Sequence, residues 1–377
     1  MSRDYIIREY MEGDEDSIVE LLGLVFGRWP NFDIGCTPLE HWSWKYQDNP
    51  IGESIISVAE FEGELVGVNH ALPVRMKVGG ESMISCYVSD TVVHPDHQGR
   101  GVFSRLATLK DSLRLEAGER FGYLVTSNPI LIRSFDEKQS HRRLPRDVVN
   151  LVRIRDIDEQ LAQMKVKHPL LVKYGLLILM PLSRAWHSLR WSGGEEDDIW
   201  IKKVSRFTEE IEGFMEELEG FHDLMVKRDC LYLNWRYIDR RAGGYTVKTA
   251  ENHEGLQGYV VYKINRARPD YPIGYIVDLL TLPGMGEAAE ALIANSLQHM
   301  EEAGVNLTNL LTTKGSPAMK PALRQGLIDS RVDIHAYIRT IQPTPELDQL
   351  YNSQARVHFC YGDIDTLPSQ IPESISL

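Results

Sequence analysis

The sequence has few cysteines, no excess of positive charge and no apolar run of membrane-spanning length. Its four cysteines (Cys36, Cys86, Cys230, Cys360) are scattered and show none of the spacings of a metal knuckle or a redox pair. That pattern argues against a disulfide scaffold, predicts no bound metal and fits a reducing, cytoplasmic setting. Lysine and arginine number 41 against 54 acidic residues, a net charge of −13. A nucleic-acid backbone requires a basic face, so nucleic acid is not an expected partner. The opening MSRDYIIREYMEGDED has no apolar signal core. The most apolar stretch, LLVKYGLLILMPL at 170–182, is thirteen residues long and carries Lys173, too short to span a bilayer. It reads as a helix packed between domains. Peripheral membrane contact is the alternative, with Arg184, His187 and Arg190 nearby.

What the chain does contain is 43% hydrophobic residues, ample for sizeable cores, in a length that suits two or three domains. Residues 5–9 (YIIRE) read as a first strand. Asp14 opens an acidic helix start whose apolar face is Ile18, Leu21, Leu22 and Val25, and Gly27 ends it. Residues 39–46 (LEHWSWKY) are aromatic-rich, which serves either a core or the wall of a groove. Ser54–Phe61 and Leu65–Leu72 read as strands joined by the turn Glu62-Gly63-Glu64. Val74–Val78 and Ser82–Val93 are further strands. Gly122–Thr126 is a short buried strand, broken by Ser127-Asn128-Pro129; residues 130–138 form a helix, and Val148–Ile154 a closing strand.

Residues 89–106 (SDTVVHPDHQGRGVFSRL) organise the first half. A strand ends at the Pro95 turn, a glycine-bracketed basic loop follows, and a helix begins. Gln98-Gly99-Arg100-Gly101 places backbone N–H groups at a helix N-terminus, where unpaired donors and partial positive charge favour an anion. The helix carries Val102, Leu106, Leu109, Leu113 and Ala117 at steps of three or four, and Gly118 stops it. The loop has neither the Gly-Lys-Ser/Thr ending of a nucleotide P-loop nor the spacing G-x-G-x-x-G.

The string resembles motif A of the GNAT acyltransferase superfamily, Q/R-x-x-G-x-G/A, through Gln98, Gly101 and the preceding strand end; Phe103 stands where the family has a small residue. The resemblance implies an acyl-CoA-dependent N-acyltransferase, in its acetyl form an N-acetyltransferase that moves acetyl from acetyl-CoA to a small amine by direct attack. It places the pantetheine along Thr91, Val92 and Val93, and the pyrophosphate on the loop amides of Gln98, Gly99, Arg100, Gly101, Val102, Phe103 and Ser104, with Asn128 nearby. It makes LEHWSWKY a wall of the acceptor groove. GNAT domains often pair, so a homodimer is a further expectation. Asp90, at the end of the motif strand, is the candidate base; Glu60 or Asp90 acting through water, and an amine that arrives neutral, stay open. The family's acid is a Tyr about seven residues after the Asn. Residue 135 is Phe, so the proton must come from solvent or from Ser134, Ser140 or His141. Two alternatives follow: a non-catalytic acyl-CoA-binding or assembly protein, and a Fem-like acyl or aminoacyl transferase of envelope biosynthesis.

The second half echoes the first. Trp44-Lys45-Tyr46 is matched by Trp235-Arg236-Tyr237, Gly67 by Gly258, and Asp90-to-Pro95 by Asp278-to-Pro283. Gln98–Gly101 aligns with Gly286-Glu287-Ala288-Ala289, which has lost the basic residue and one glycine. The expected architecture is α/β (α+β): two GNAT-like domains, each a mixed, largely antiparallel sheet flanked by helices. The expected boundaries are 1–155 for the domain with motif A, 156–205 for a helical linker, and 206–342 for a degenerate copy. The tail, 343–377, packs as strand or loop, with Arg356–Tyr361 as the strand. His94 and His97 read as loop residues rather than ligands.

Overall fold

The computed structural model describes residues 4–138, 141–163, 199–364 and 367. The apolar 170–182 segment and Ser140 lie outside these residues. The first half runs β1 (Ile6–Glu9), α1 (Glu15–Phe26), α2 (Pro38–Tyr46), β2 (Ile55–Phe61), β3 (Glu64–Val78), β4 (Glu81–Val93), α3 (Val102–Glu116), β5 (Phe121–Thr126), α4 (Pro129–Lys138), β6 (Arg142–Arg143), β7 (Val148–Ile154) and α5 (Ile157–Gln163). The second half runs β8 (Trp200–Val204), α6 (Glu210–Glu219), β9 (Leu224–Val226), α7 (Cys230–Leu233), β10 (Thr246–Asn252), β11 (Gly255–Asn265), β12 (Ile273–Thr281), α8 (Gly286–Glu302), β13 (Leu307–Thr313), α9 (Met319–Arg324), β14 (Ile328–Asp329), β15 (His335–Thr340), α10 (Pro345–Gln349) and α11 (Tyr361–Ile364). Local chemistry sets the helix ends. Gly27 closes α1 in the left-handed region, and α2 starts on a capping box in which Thr37 and Glu40 bond each other's backbone ahead of Pro38.

The strands form two sheets. The first has the order β1-β2-β3-β4-β5-β15-β6, with β9 added along the far half of β3. The second has the order β14-β7-β13-β12-β11-β10-β8. The orders match strand for strand, and so do the directions. Each sheet is antiparallel apart from one parallel pair, β4 with β5 and β12 with β13. The main core lies between the sheets and includes Val58, Val74, Leu224, Tyr275 and Phe359. Helix α3 covers the outer face of the first sheet, so closely that a Cβ on Gly67 would sit 3.0 Å from Leu106. Helix α8 covers the outer face of the second.

Several sequence expectations change here. Val148–Ile154, read as the closing strand of the first domain, pairs antiparallel with β13 in the second sheet. His335–Thr340 pairs with β5 in the first. The halves exchange equivalent strands: each is apolar and follows a short helix, so its sequence fits either sheet, and tertiary packing decides. The 156–205 segment, expected as a helical linker, ends in β8, whose Val204 pairs with Val247 at the edge of the second sheet. Strand β3 runs unbroken through Pro73. That residue faces the gap between the last β2 partner, Ala71, and the first β9 partner, Met76, where no N–H is required. On α3 the buried line is Val102, Leu106, Lys110 and Arg114, while Leu109 and Leu113 are half-buried. The charged pair is accommodated because Asn69 accepts from Lys110 at 3.1 Å and Glu119 from Arg114 at 2.6 Å. Arg356–Tyr361 makes a single bridge, Val357 with Leu224, before turning into α11.

Candidate active site

Strands β4 and β5 pair only at Cys86–Gly122 and Tyr87–Tyr123. Beyond Tyr87, β4 carries an extra residue relative to β3, since Val68 faces Val92 while His70 faces Ser89. This β-bulge bends the strand, and Asp90 within it takes φ +44°. The two parallel strands therefore part, and a cavity of about 730 Å³ opens where they separate. Val88, Ser89, Asp90 and Thr91 line one side; Leu124, Val125, Thr126 and Asn128 line the other. Phe103 of the glycine loop and Phe135 of α4 border it, and Trp29, Phe32, His41 and Lys45 close the far end.

The loop itself is built for an anion. Gly99 and Gly101 sit at φ +73° and +78°, with nothing within 4 Å of where a Cβ would stand. Gly101 is the N-cap of α3, and the first helical bond runs from the Arg105 amide to the Gly101 carbonyl. The amides of Val102, Phe103 and Ser104 thus precede the helical ladder. The Gln98 side chain donates to the Val93 carbonyl at 3.1 Å, tying the loop to the strand end. Arg100 is exposed. Val92 is buried in the main core and Val93 against α3, and of the three strand residues expected to meet pantetheine only Thr91 lines the cavity. Asn128 lines it too, and its Oδ1 accepts from the Ile130 amide to cap α4. His97 bonds the Tyr5 hydroxyl at 3.0 Å, and His94 accepts from the Asp96 amide; both serve the turn.

The second half has no such loop. Eight residues (94–101) separate β4 from α3, but only four (282–285) separate β12 from α8. Gly286 to Ala289 are therefore the first turn of a helix, not a substituted loop. The connection in the second half is shorter by four residues, so the glycine turn has no counterpart there.

Asp90 is held as an ion. Lys45 Nζ lies 2.7 Å from its Oδ2, and the Tyr46 hydroxyl donates to the same oxygen at 2.6 Å. Burial raises its pKa, but Lys45, His70 and the Tyr46 bond outweigh that and keep it below the ordinary carboxylate value. A carboxylate so stabilised is a weak base. His70 donates Nδ1–H to the Asp90 carbonyl and accepts from the Trp42 indole, and burial lowers its pKa to about 4, so it stays neutral. Glu60 of β2 accepts from Arg8 of β1 and does not line the cavity. Ser134 is likewise absent from the lining. His141 packs on Phe135 with ring centres 4.0 Å apart, and burial lowers its pKa to about 4.

The residue that sequence reading passed over is His41. It lies four positions before Lys45 on α2, so the two share a face, and both line the cavity. Its Nδ1 is 2.7 Å from the Arg241 carbonyl. A carbonyl only accepts, so Nδ1 carries a proton toward it. Trp44 and Phe32 pack on the ring. Within LEHWSWKY the signal was a lone histidine among aromatics; Trp42, Trp44 and Tyr46 are core, while His41 and Lys45 are wall.

Residues 6–136 match the family model described as the acetyltransferase (GNAT) domain. No curated protein matches the sequence. Similar solved structures include a probable N-acyltransferase of Enterococcus faecalis V583, at 14% identity and TM-score 0.59, covering 92% of this chain and 74% of that one. A GCN5-related N-acetyltransferase of Anabaena variabilis aligns at 12% and 0.58, covering 90% and 73%. The N-myristoyltransferase of Saccharomyces cerevisiae, solved with bound myristoyl-CoA, aligns at 12% and 0.59, covering 95% and 86%. At these identities the likeness is one of fold. Residues 6–136 thus match the GNAT acetyltransferase domain model, and they sit within a larger fold of two matching sheets.

Proposed function

We propose that the protein is an acyl-CoA-dependent N-acyltransferase, moving acetyl from acetyl-CoA to a small amine, with the first half binding the donor and the second half, a GNAT-like copy without its loop, walling the acceptor side. The observation that carries this reading is the parting of β4 and β5 into a cavity whose lining includes both Phe103, next to the glycine loop, and His41. In the proposed reaction the amine nitrogen attacks the thioester carbonyl carbon, the C–S bond breaks and CoA leaves as thiolate. His41 Nε2 takes one proton from the entering ammonium, so that the neutral amine can attack, and the second proton, lost from nitrogen on acylation, passes to the CoA thiolate. Tyr87, which lines the cavity at the last position of β4 paired with β5, offers a phenol to replace the one missing at Phe135. Asp90 holds Lys45 and Tyr46 in place. Aromatic walls from Trp29 and Phe32 suit an amine that enters as a cation.

The test is an acyl-CoA series from acetyl to myristoyl, read by thermal shift, followed by CoA release over a panel of amines. Acetyl-CoA should raise Tm most. His41→Gln should lower kcat about 10²- to 10⁴-fold and flatten the acidic limb of the pH profile, with the acetyl-CoA thermal shift unchanged. No shift with any acyl-CoA would end the reading. An unchanged kcat in His41→Gln would remove His41 as base.

A further inference from the structure

A second cluster of reactive side chains lies away from the cavity, where the C-terminal segment meets the second sheet. Asp278 on β12 stands at that sheet's own bulge and is wholly buried. Its two oxygens have different company. Oδ2 accepts from Arg228 at 2.8 Å, and from Tyr237 and Tyr259 at 2.9 Å each. Oδ1 faces the C-terminal segment, 3.4 Å from Cys360 Sγ and 3.9 Å from His358 Nε2. His358 and Cys360 are two apart, so an extended segment turns both to one side. His358 is 4% exposed, and its Nε2 has no hydrogen-bond partner, an expensive state for a buried ring nitrogen.

We infer that Asp278, His358 and Cys360 form a buried site for a divalent transition metal of the zinc type. The three ligand atoms all lie within 4.8 Å of one another. With bonds of about 2.0 Å to O and N and 2.3 Å to S, a tetrahedral ion sets its ligands ~3.5 Å apart. The separations of 3.4 and 3.9 Å from Asp278 Oδ1 are close to that spacing. The donor set of thiolate, imidazole and carboxylate is one that zinc accepts and magnesium does not. Asp363 Oδ2, 3.2 Å from Sγ, stands where a fourth ligand or its support belongs. Arg228 binds Asp278 Oδ2 at 2.8 Å and Asp363 Oδ1 at 2.6 Å, and its Nη2 also lies 3.4 Å from Cys360 Sγ, where it favours the thiolate; Asp278 Oδ1 is left to the ion, while Asp363 Oδ2 accepts from the Cys360 amide at 2.9 Å. Charge agrees: two buried carboxylates face one guanidinium, and a divalent ion with an ionised Cys360 brings the group to neutrality. The site would fasten the C-terminal segment to β12, a structural role separate from acyl transfer.

The experiment is titration of the chelator-treated full-length protein with Co²⁺ alone, read by absorbance, with Tm measured in parallel. The expected result is one equivalent bound, a near-ultraviolet thiolate-to-cobalt band, and a Tm that rises on binding. His358→Gln should weaken binding at least 10-fold, and Cys360→Ser should abolish the band, while Cys36→Ser keeps it. Absence of both band and Tm rise in the wild-type protein overturns the site, whether or not the variants fold. A band that survives Cys360→Ser also overturns it, because the thiolate is then another cysteine.

Discussion

Gly101 separates backbone strain from anion binding, because two substitutions share one effect and differ in the other. The residue lies at φ +78°, in the left-handed region, immediately before α3. An alanine there costs about 1–2 kcal/mol of backbone strain. Nothing lies within 4 Å of the added Cβ, so no clash is added. Gly101→Ala should lower Tm by no more than a few degrees and leave acetyl-CoA affinity near wild type. Gly101→Glu carries the same strain and adds a carboxylate beside the amides of Val102 to Ser104. At ~6 Å and an effective dielectric of 20 to 80, that charge costs roughly 1–3 kcal/mol per phosphate charge, about 5- to 150-fold in Kd for each. The difference between the variants is therefore the electrostatic part alone. Calorimetric titration with acetyl-CoA and with free CoA measures it, and the difference should shrink as salt rises. Equal affinity of the two variants at low salt would refute the placement of the phosphates on this loop.

Lys45→Met should destabilise the protein by about 3–5 kcal/mol in chemical denaturation, because it leaves the Asp90 carboxylate buried without its counter-charge. Adding Asp90→Asn should recover part of that loss; a strictly additive double mutant would show that the pair is not coupled. Lys110 predicts a pH effect. Burial lowers its pKa from 10.5 to about 8. The unfolded chain keeps that proton up to its own higher pKa, so between pH 8 and 10.5 it binds more protons than the folded one, and stability should rise with pH. Below pH 8 the cost of the buried ammonium is present in full. Against Lys110→Met, the wild-type deficit should narrow by up to about 3 kcal/mol from pH 8 to 10, and a constant difference in urea unfolding would contradict it.

The features legible in the sequence are those whose cause is local. The glycine loop and the strands β2 to β5 follow from residues next to one another. So does the repeat: Trp44 and Trp235, paired by spacing alone, stack at 4.9 Å, and each indole N–H donates to the other's carbonyl. What was not legible depends on choices between distant segments. Nothing in the strings of β7 and β15 says which sheet each joins. The buried face of α3 was misread because Lys110 and Arg114 are buried by partners on β3 and beyond the helix end, not by their own neighbours. His41 looked like one more ring in an aromatic helix until the cavity gave it a side. The cluster at Asp278 draws on residues 80 positions apart, a spacing that no ligand motif covers.

The comparison between the halves also says where chemistry should be sought. Asp90 and Asp278 both stand at the bulge before the parallel pair parts. Each is held by a cation, Lys45 or Arg228, and by the tyrosine of the matching Trp-x-Tyr motif, Tyr46 or Tyr237. A carboxylate that appears in both halves, with the same kind of partners, is answering a need of the fold: it stabilises a strand that must bend. A group that serves acyl transfer should instead appear only where the donor can bind. Two features meet that condition. The glycine loop is present before α3 and has no counterpart before α8. His41 lines the cavity, and the residue at the matching offset of 191 in the second half is Tyr232, a buried ring. The asymmetry between the halves, rather than the shared aspartate, is therefore the better guide to the base.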